Sequence, residues 1–270
     1  MAALHQSLAR RQEAPTSALP QSGAKPTSLP AMAIAHNDIR ALAFDVFGTV
    51  VDWRGSIIRE GQLLSATKGL TVDWPAFADA WRAGYKPAMN STRGADAAWL
   101  DIDTLHRRIL DGLLPRFGLQ SLSADEVAHL NRVWHRLMPW PDTVSGLNRL
   151  RSRFVISSLS NGNVSLLVNM AKNAGLPWDC VLSGELIHKY KPDPEVYLMA
   201  ARLLGVAPQQ LMLVAAHPSD LAGAQRAGLR TAYVTRPLEY GLGVAGEPVG
   251  DLKFDFMAAD FLLLAAQLGA

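Results

Sequence analysis

Five short apolar runs limit this chain's folding options more than any other feature. Residues 39–44, 154–159, 180–183, 211–215 and 231–235 are mostly apolar and read as buried strands. Helical patterns over residues 164–174, 195–204 and 220–227 separate several of them. Strands alternating with helices predict a parallel sheet with right-handed crossovers. Between residues 53 and 140 the pattern changes. Apolar side chains recur there at helical spacing: Phe77, Trp81 and Tyr85, then Leu105, Ile109 and Leu113, then Val127, Leu130 and Trp134. The expectation is an α/β fold with a core over residues 37–52 and 141–270 and an inserted helical subdomain over 53–140.

Composition narrows the classes of function. With 26 basic and 24 acidic side chains the formal net charge is only +2, too balanced for a surface built to hold nucleic acid. No apolar stretch approaches the roughly 20 residues needed to span a bilayer, so no membrane partner is expected. The one cysteine, Cys180, excludes an intrachain disulfide and a cysteine-rich metal site, and suits a reducing cytoplasm. Residues 1–36 are rich in Ala, Ser, Pro and Gln and are expected to form a disordered tail. A secretory leader would need an apolar run of about 7–15 residues after Arg10-Arg11, and none follows.

Ligands of open α/β sheets bind beyond the carboxyl ends of the strands. Asp45 ends the first run, Ser160-Asn161 follow the second, and another polar group follows Val214. Gly48 lets the chain turn sharply after Asp45. Polar clusters from three separate strands therefore converge on one crevice.

The segment Asp45-Val46-Phe47-Gly48-Thr49-Val50-Val51-Asp52-Trp53 resembles the first motif of the haloacid dehalogenase superfamily, whose leading Asp is a nucleophile. Ser160-Asn161-Gly162 is similar to the second motif, and Lys191-Pro192-Asp193-Pro194 to the third. Val214-Ala215-Ala216-His217-Pro218-Ser219-Asp220 stands where the fourth belongs, and order and spacing agree over residues 39–236. The resemblance implies a Rossmann-like parallel-sheet core carrying a helical cap. Phosphatases of the superfamily have a second acid two residues after the nucleophile and an acidic pair in the fourth motif for Mg²⁺. Here those positions hold Phe47 and the Ala215-Ala216-His217 stretch, leaving Asp220 alone.

Both departures resemble the (S)-2-haloacid dehalogenase branch. That branch implies hydrolysis of short 2-haloalkanoic acids to 2-hydroxy acids and halide, through an ester on Asp45, with no metal and no cofactor. It implies that Lys191 and Thr49 hold Asp45 as an anion, and that Asp220 or His217 positions or deprotonates the hydrolytic water. The stretch Ala80-Trp81-Arg82-Ala83-Gly84-Tyr85 is similar to the branch's cap helix, which makes Arg82 a halide ligand together with Asn161. Ser160 is expected to hold the substrate carboxylate, and Phe47, Trp53 and Tyr197 to shape the pocket. His217 and Ala215 stand where the familiar pattern has Asn and Ser; His217 is expected either to pair with Asp220 or to replace the hydrogen bonds of the Asn. The branch carries the expectation of a homodimer. Two other readings stay open at this point: a phosphatase or other hydrolase of the same superfamily acting on an unknown metabolite, and a non-catalytic binding protein.

Overall fold

The computed structural model describes residues 38–92 and 98–270; the tail expected over residues 1–36 lies outside them. β1 (Ala41–Phe44) is buried at every position. Leu42 and Phe44 enter one hydrophobic core while Ala41 and Ala43 enter the other, as the period-two alternation of a strand demands. A strand apolar on both faces belongs in mid-sheet. β1 lies there, between β4 (Val155–Ser160) and β6 (Leu211–Ala215). β5 (Cys180–Ser183) flanks β4, and β7 (Arg230–Val234) then β8 (Phe256–Ala258) flank β6, completing a six-stranded parallel sheet of order β5-β4-β1-β6-β7-β8.

Helices α6 (Val164–Ala174), α7 (Pro194–Leu203) and α8 (Pro218–Arg226) connect successive strands of this sheet. α8 begins two residues before the helix read from the sequence, because Pro218 occupies its first turn, where a missing N–H costs nothing. α5 (Thr143–Arg151) and α9 (Phe261–Gln267) share the core that receives Phe44. The sheet also holds a strand the sequence did not announce. β8 is three residues long and one of them, Met257, is exposed, so it carries no alternation to read.

Four helices lie between two very short strands, β2 (Val51–Asp52) and β3 (Met138–Pro139), which pair antiparallel as a ribbon. They are α1 (Trp53–Lys68), α2 (Trp74–Asn90), α3 (Ile102–Leu113) and α4 (Ala124–Asn131). Each starts on a side-chain cap: Asp52, Asp73, Asp101 and Ser123 accept the backbone N–H of Gly55, Ala76, Thr104 and Glu126 respectively. In α2 the four-residue spacing of Phe77, Trp81, Tyr85 and Met89 buries one face. Arg82 follows Trp81 on the flank of that face. Among the described residues no helix is long and apolar enough to cross a membrane, and no group of three or more His, Cys, Asp or Glu side chains is arranged to hold a metal ion.

Candidate active site

Asp45 is the first residue beyond β1, and its N–H still donates to Val214 O at 3.0 Å, extending the pairing with β6. The chain then turns tightly, with Val46 O accepting from both Val50 N and Val51 N. Gly48 sits in this turn at φ +85°, and a Cβ there would lie 2.1 Å from Glu239 Oε1. Glycine is therefore required twice over, for the backbone conformation and for the approach of a carboxylate.

The Asp45 carboxylate receives three hydrogen bonds from three elements. Lys191 Nζ donates to Oδ1 at 2.8 Å, while Thr49 Oγ1 at 2.7 Å and His217 Nδ1 at 3.0 Å meet Oδ2. Thr49 is fixed in turn by the N–H of Ala216, which donates to its Oγ1 at 2.9 Å. Lys191 also donates to Asp220 Oδ2 at 2.5 Å, and Tyr197 OH donates to Asp220 Oδ1 at 2.6 Å. Burial opposes ionisation of Asp45, yet Lys191 and His217 hold its carboxyl well below the usual carboxylate range. Burial likewise opposes charge on Lys191, and the carboxylates of Asp220 and Asp45 reverse that and raise its pKa. Asp220 is pushed up, first by burial and then by the nearby Asp45 charge, against the pull of Lys191.

His217 does not pair with Asp220. Its Nε2 faces Glu239, 3.0 and 3.1 Å from the two carboxylate oxygens, and Glu239 Oε1 also accepts from Trp53 Nε1 at 3.1 Å. Burial disfavours a charged imidazole here, but Glu239 and Asp45 push its pKa up to about 10. Glu239 escaped the sequence reading. It lies in the irregular segment after β7, only 3% exposed, and the one available signal was that β7 is another strand whose carboxyl end opens toward the crevice.

Of the residues singled out from the sequence, all except Thr49 and Tyr197 line one cavity of about 870 Å³. Tyr197 is fully buried and acts on Asp220 instead of facing that cavity. Trp53 lines it, with its indole N–H committed to Glu239. Arg82 lies over the ring of Tyr85, with Cζ 4.8 Å from the centroid, and 5.6 Å from that of Trp53; its Nη1 is buried with no hydrogen-bond partner. Phe47 meets Tyr85 and Trp134 edge-on. Ser160 Oγ accepts the N–H of Gly162 at 3.0 Å. Asn161 Oδ1 accepts from Lys191 N at 2.7 Å, while its amino group has only contacts of 3.5 Å to Met89 Sδ and Lys191 O.

A family profile described as haloacid dehalogenase-like hydrolase matches residues 39–228. The chain belongs to the haloacid dehalogenase-like hydrolases. Within that family it is similar to (S)-2-haloacid dehalogenase 4A of Burkholderia cepacia, 28% identical over 223 residues that cover 80% of this chain and 93% of the relative. A solved L-2-haloacid dehalogenase is 45% identical, with a TM-score of 0.82, over 86% of this chain and 99% of its own. A solved defluorinating L-2-haloacid dehalogenase is 44% identical at the same TM-score, over 86% of this chain and 96% of its own. These likenesses bear out the branch read from the motifs.

Proposed function

We propose that this protein hydrolyses short 2-haloalkanoic acids to 2-hydroxy acids and halide through an ester formed on Asp45. The observation that carries the reading is Asp45 itself, held as a carboxylate at the cavity wall by Lys191, Thr49 and His217. One of its oxygens attacks C2 of the acid, and the carbon–halogen bonding pair leaves with the halide. Water then adds to the carboxyl carbon of Asp45, and the 2-hydroxy acid departs with the former carboxylate oxygen. Arg82 and the amino group of Asn161 receive the departing halide, where donors in a dry cavity stabilise developing charge. Ser160 and neighbouring backbone amides hold the substrate carboxylate.

Phe47 weighs against the phosphatase alternative, because its ring completes an aromatic wall where an acid would have to serve the leaving oxygen. The β2–β3 ribbon supports a cap over residues 53–140, whose Arg82 lines the same cavity as the nucleophile of the core. The chain's single cysteine, Cys180, suits a cytoplasmic setting.

The test is halide release from chloroacetate, fluoroacetate and both enantiomers of 2-chloropropionate, with Asp45→Asn alongside. Release is expected from the native protein with preference for the S enantiomer. Loss of the nucleophile should cost on the order of 10⁴-fold or more. No release from any of these acids would refute the reading.

A further inference from the structure

Hydrolysis of the ester needs a base, and the hydrogen bonds distinguish the two candidates beside Asp45. Asp220 has both carboxylate oxygens engaged, one by Lys191 at 2.5 Å and the other by Tyr197 at 2.6 Å. Drawing a proton onto it would break an ion pair inside a buried network. His217 is different. It lines the cavity, its Nδ1 touches the very carboxylate that becomes the ester, and its Nε2 is anchored on Glu239. Glu239 does not line the cavity itself; it bonds two residues that do, the imidazole of His217 and the indole of Trp53.

We propose that His217 is the base for the hydrolytic water, that Glu239 is its positioning residue, and that Asp45 keeps His217 out of this role until alkylation removes the aspartate's charge. This rests on the dehalogenase reading and says how its second step is timed.

The charge environment supplies the timing. Asp45 after β1 and Glu239 after β7 both bond the imidazole. Lys191 and Thr49 share Asp45 with it, Arg82 of α2 acts on Glu239, Asp220 lies three residues along in α8, and Glu247 accepts the N–H of Ser219. In the resting protein the two bonded carboxylates outweigh burial, and the ring carries both protons. Its Nδ1–H then stabilises the nucleophile, and no lone pair is available to water.

Alkylation converts Asp45 into a neutral ester. One of the two carboxylates that sustained the cation has gone, while burial is unchanged, so the Nδ1 proton becomes acidic and passes to water in the cavity. Glu239 continues to accept from Nε2, which fixes the neutral tautomer with its Nδ1 lone pair beside the ester. That lone pair takes a proton as water attacks the carboxyl carbon. The tetrahedral adduct collapses by breaking the bond from this carbon to the ester oxygen. The leaving alkoxide takes the proton of the new Asp45 carboxyl group, and Asp45 again faces a protonated His217. Over the cycle one water is consumed and one halide, one hydroxy acid and one proton are released, so the atoms and charges balance.

The experiment is a rapid-quench single turnover with (S)-2-chloropropionate on the native protein, His217→Asn and Glu239→Gln, following halide, lactate and the intact protein mass. His217→Asn should release about one equivalent of halide and then stall, with the ester retained on Asp45 and its hydrolysis slowed by roughly 100-fold or more. In Glu239→Gln lactate release should fall by more than the halide burst, because the imidazole bears on both steps but serves as base only in the second. The acid limb of its lactate release should move to lower pH, because an amide no longer sustains the imidazolium; a merely structural role would leave that limb in place. Clearance of the ester by His217→Asn at the native rate, loss of its halide burst without ester, or an unmoved limb in Glu239→Gln would each overturn the proposal. Absence of halide from the native protein would instead refute the dehalogenase reading.

Discussion

His217 at the start of α8 and His106 inside α3 are both buried, yet the structure treats them in opposite ways. His217 has a carboxylate on each ring nitrogen and a pKa pushed up to about 10. His106 is fully buried, has no hydrogen-bond partner on either nitrogen, and stacks on Trp134 with centroids 4.0 Å apart. Burial holds its pKa down to about 3. Around Asp45 on the sheet side the charged groups are matched donor to acceptor, so charge is retained and shared. On the helical side Phe47, Trp81, Tyr85 and Trp134 enclose His106, and polarity is suppressed. A dry wall facing a charged one strengthens the electrostatics of the space between them.

Arg82 is the cation that the dry wall contributes, and changing it should break the contrast most severely. Lysine keeps the charge but loses the planar group that lies over Tyr85 and Trp53 and the fork that receives an anion. Arg82→Lys should lower kcat/KM for 2-haloacids by roughly 100-fold, about 2.7 kcal/mol of transition-state stabilisation. Halide-release kinetics measure it. A loss below about threefold would mean that the helical side only shields the reaction.

His106→Phe sharpens the same contrast through stability. A histidine neutral in the folded state and titrating near 6.5 when unfolded takes up protons preferentially on unfolding between those values. Its presence therefore costs stability as pH falls from about 6.5 toward about 3. Phe retains a ring against Trp134 and cannot titrate. Urea unfolding should find the variant within about 1 kcal/mol of native at pH 7, and more stable than native by on the order of 2 kcal/mol at pH 4.5. For His217 the sign is reversed: its raised pKa contributes stability that is full below about 6.5 and is lost as pH rises through about 10. Equal acid sensitivity in native protein and His106→Phe would show that His106 has a polar partner after all.

The two sides also differ in how far the sequence discloses them. β1, β4, β6 and β7 were legible because strands inside a parallel sheet are largely apolar, the edge strand β5 as a short run of its own, and Phe77, Trp81 and Tyr85 marked the buried face of α2 by spacing alone. Asp45 was legible as the polar residue that closes an apolar strand, and Lys191 and Asp220 through the resemblance of their segments to the third and fourth family motifs. Glu239 was not, since it stands in an irregular segment where neither periodicity nor capping applies, and its role depends on Gly48, 191 positions earlier, having no side chain. Of the two roles left open for His217, the pairing with Asp220 is not the one the structure forms, for a related reason. Three residues apart at a helix start, they look like neighbours, but Lys191 and Tyr197 each engage one oxygen of Asp220 and the imidazole turns the other way.

Tyr197 gives the smallest and most selective test of the charged side. From the sequence it stood among the residues shaping the pocket; in the structure its hydroxyl meets Asp220, close against α8, where a Cβ on Gly223 would come within 2.6 Å of it. Burial and the Asp220 charge raise its pKa, so it remains a donor across the working pH range. Tyr197→Phe keeps the ring in place and removes one hydrogen bond to a carboxylate, which then relies on Lys191 alone. Lys191 is drawn toward Asp220 and away from Asp45, and the nucleophile is held less well. The expected result is a roughly tenfold fall in kcat, about 1.4 kcal/mol, with KM and the preference between enantiomers unchanged because the hydroxyl does not face the cavity. A rise in KM or an altered enantiomer preference, with kcat intact, would place Tyr197 against the substrate and extend the charged wall beyond Asp220.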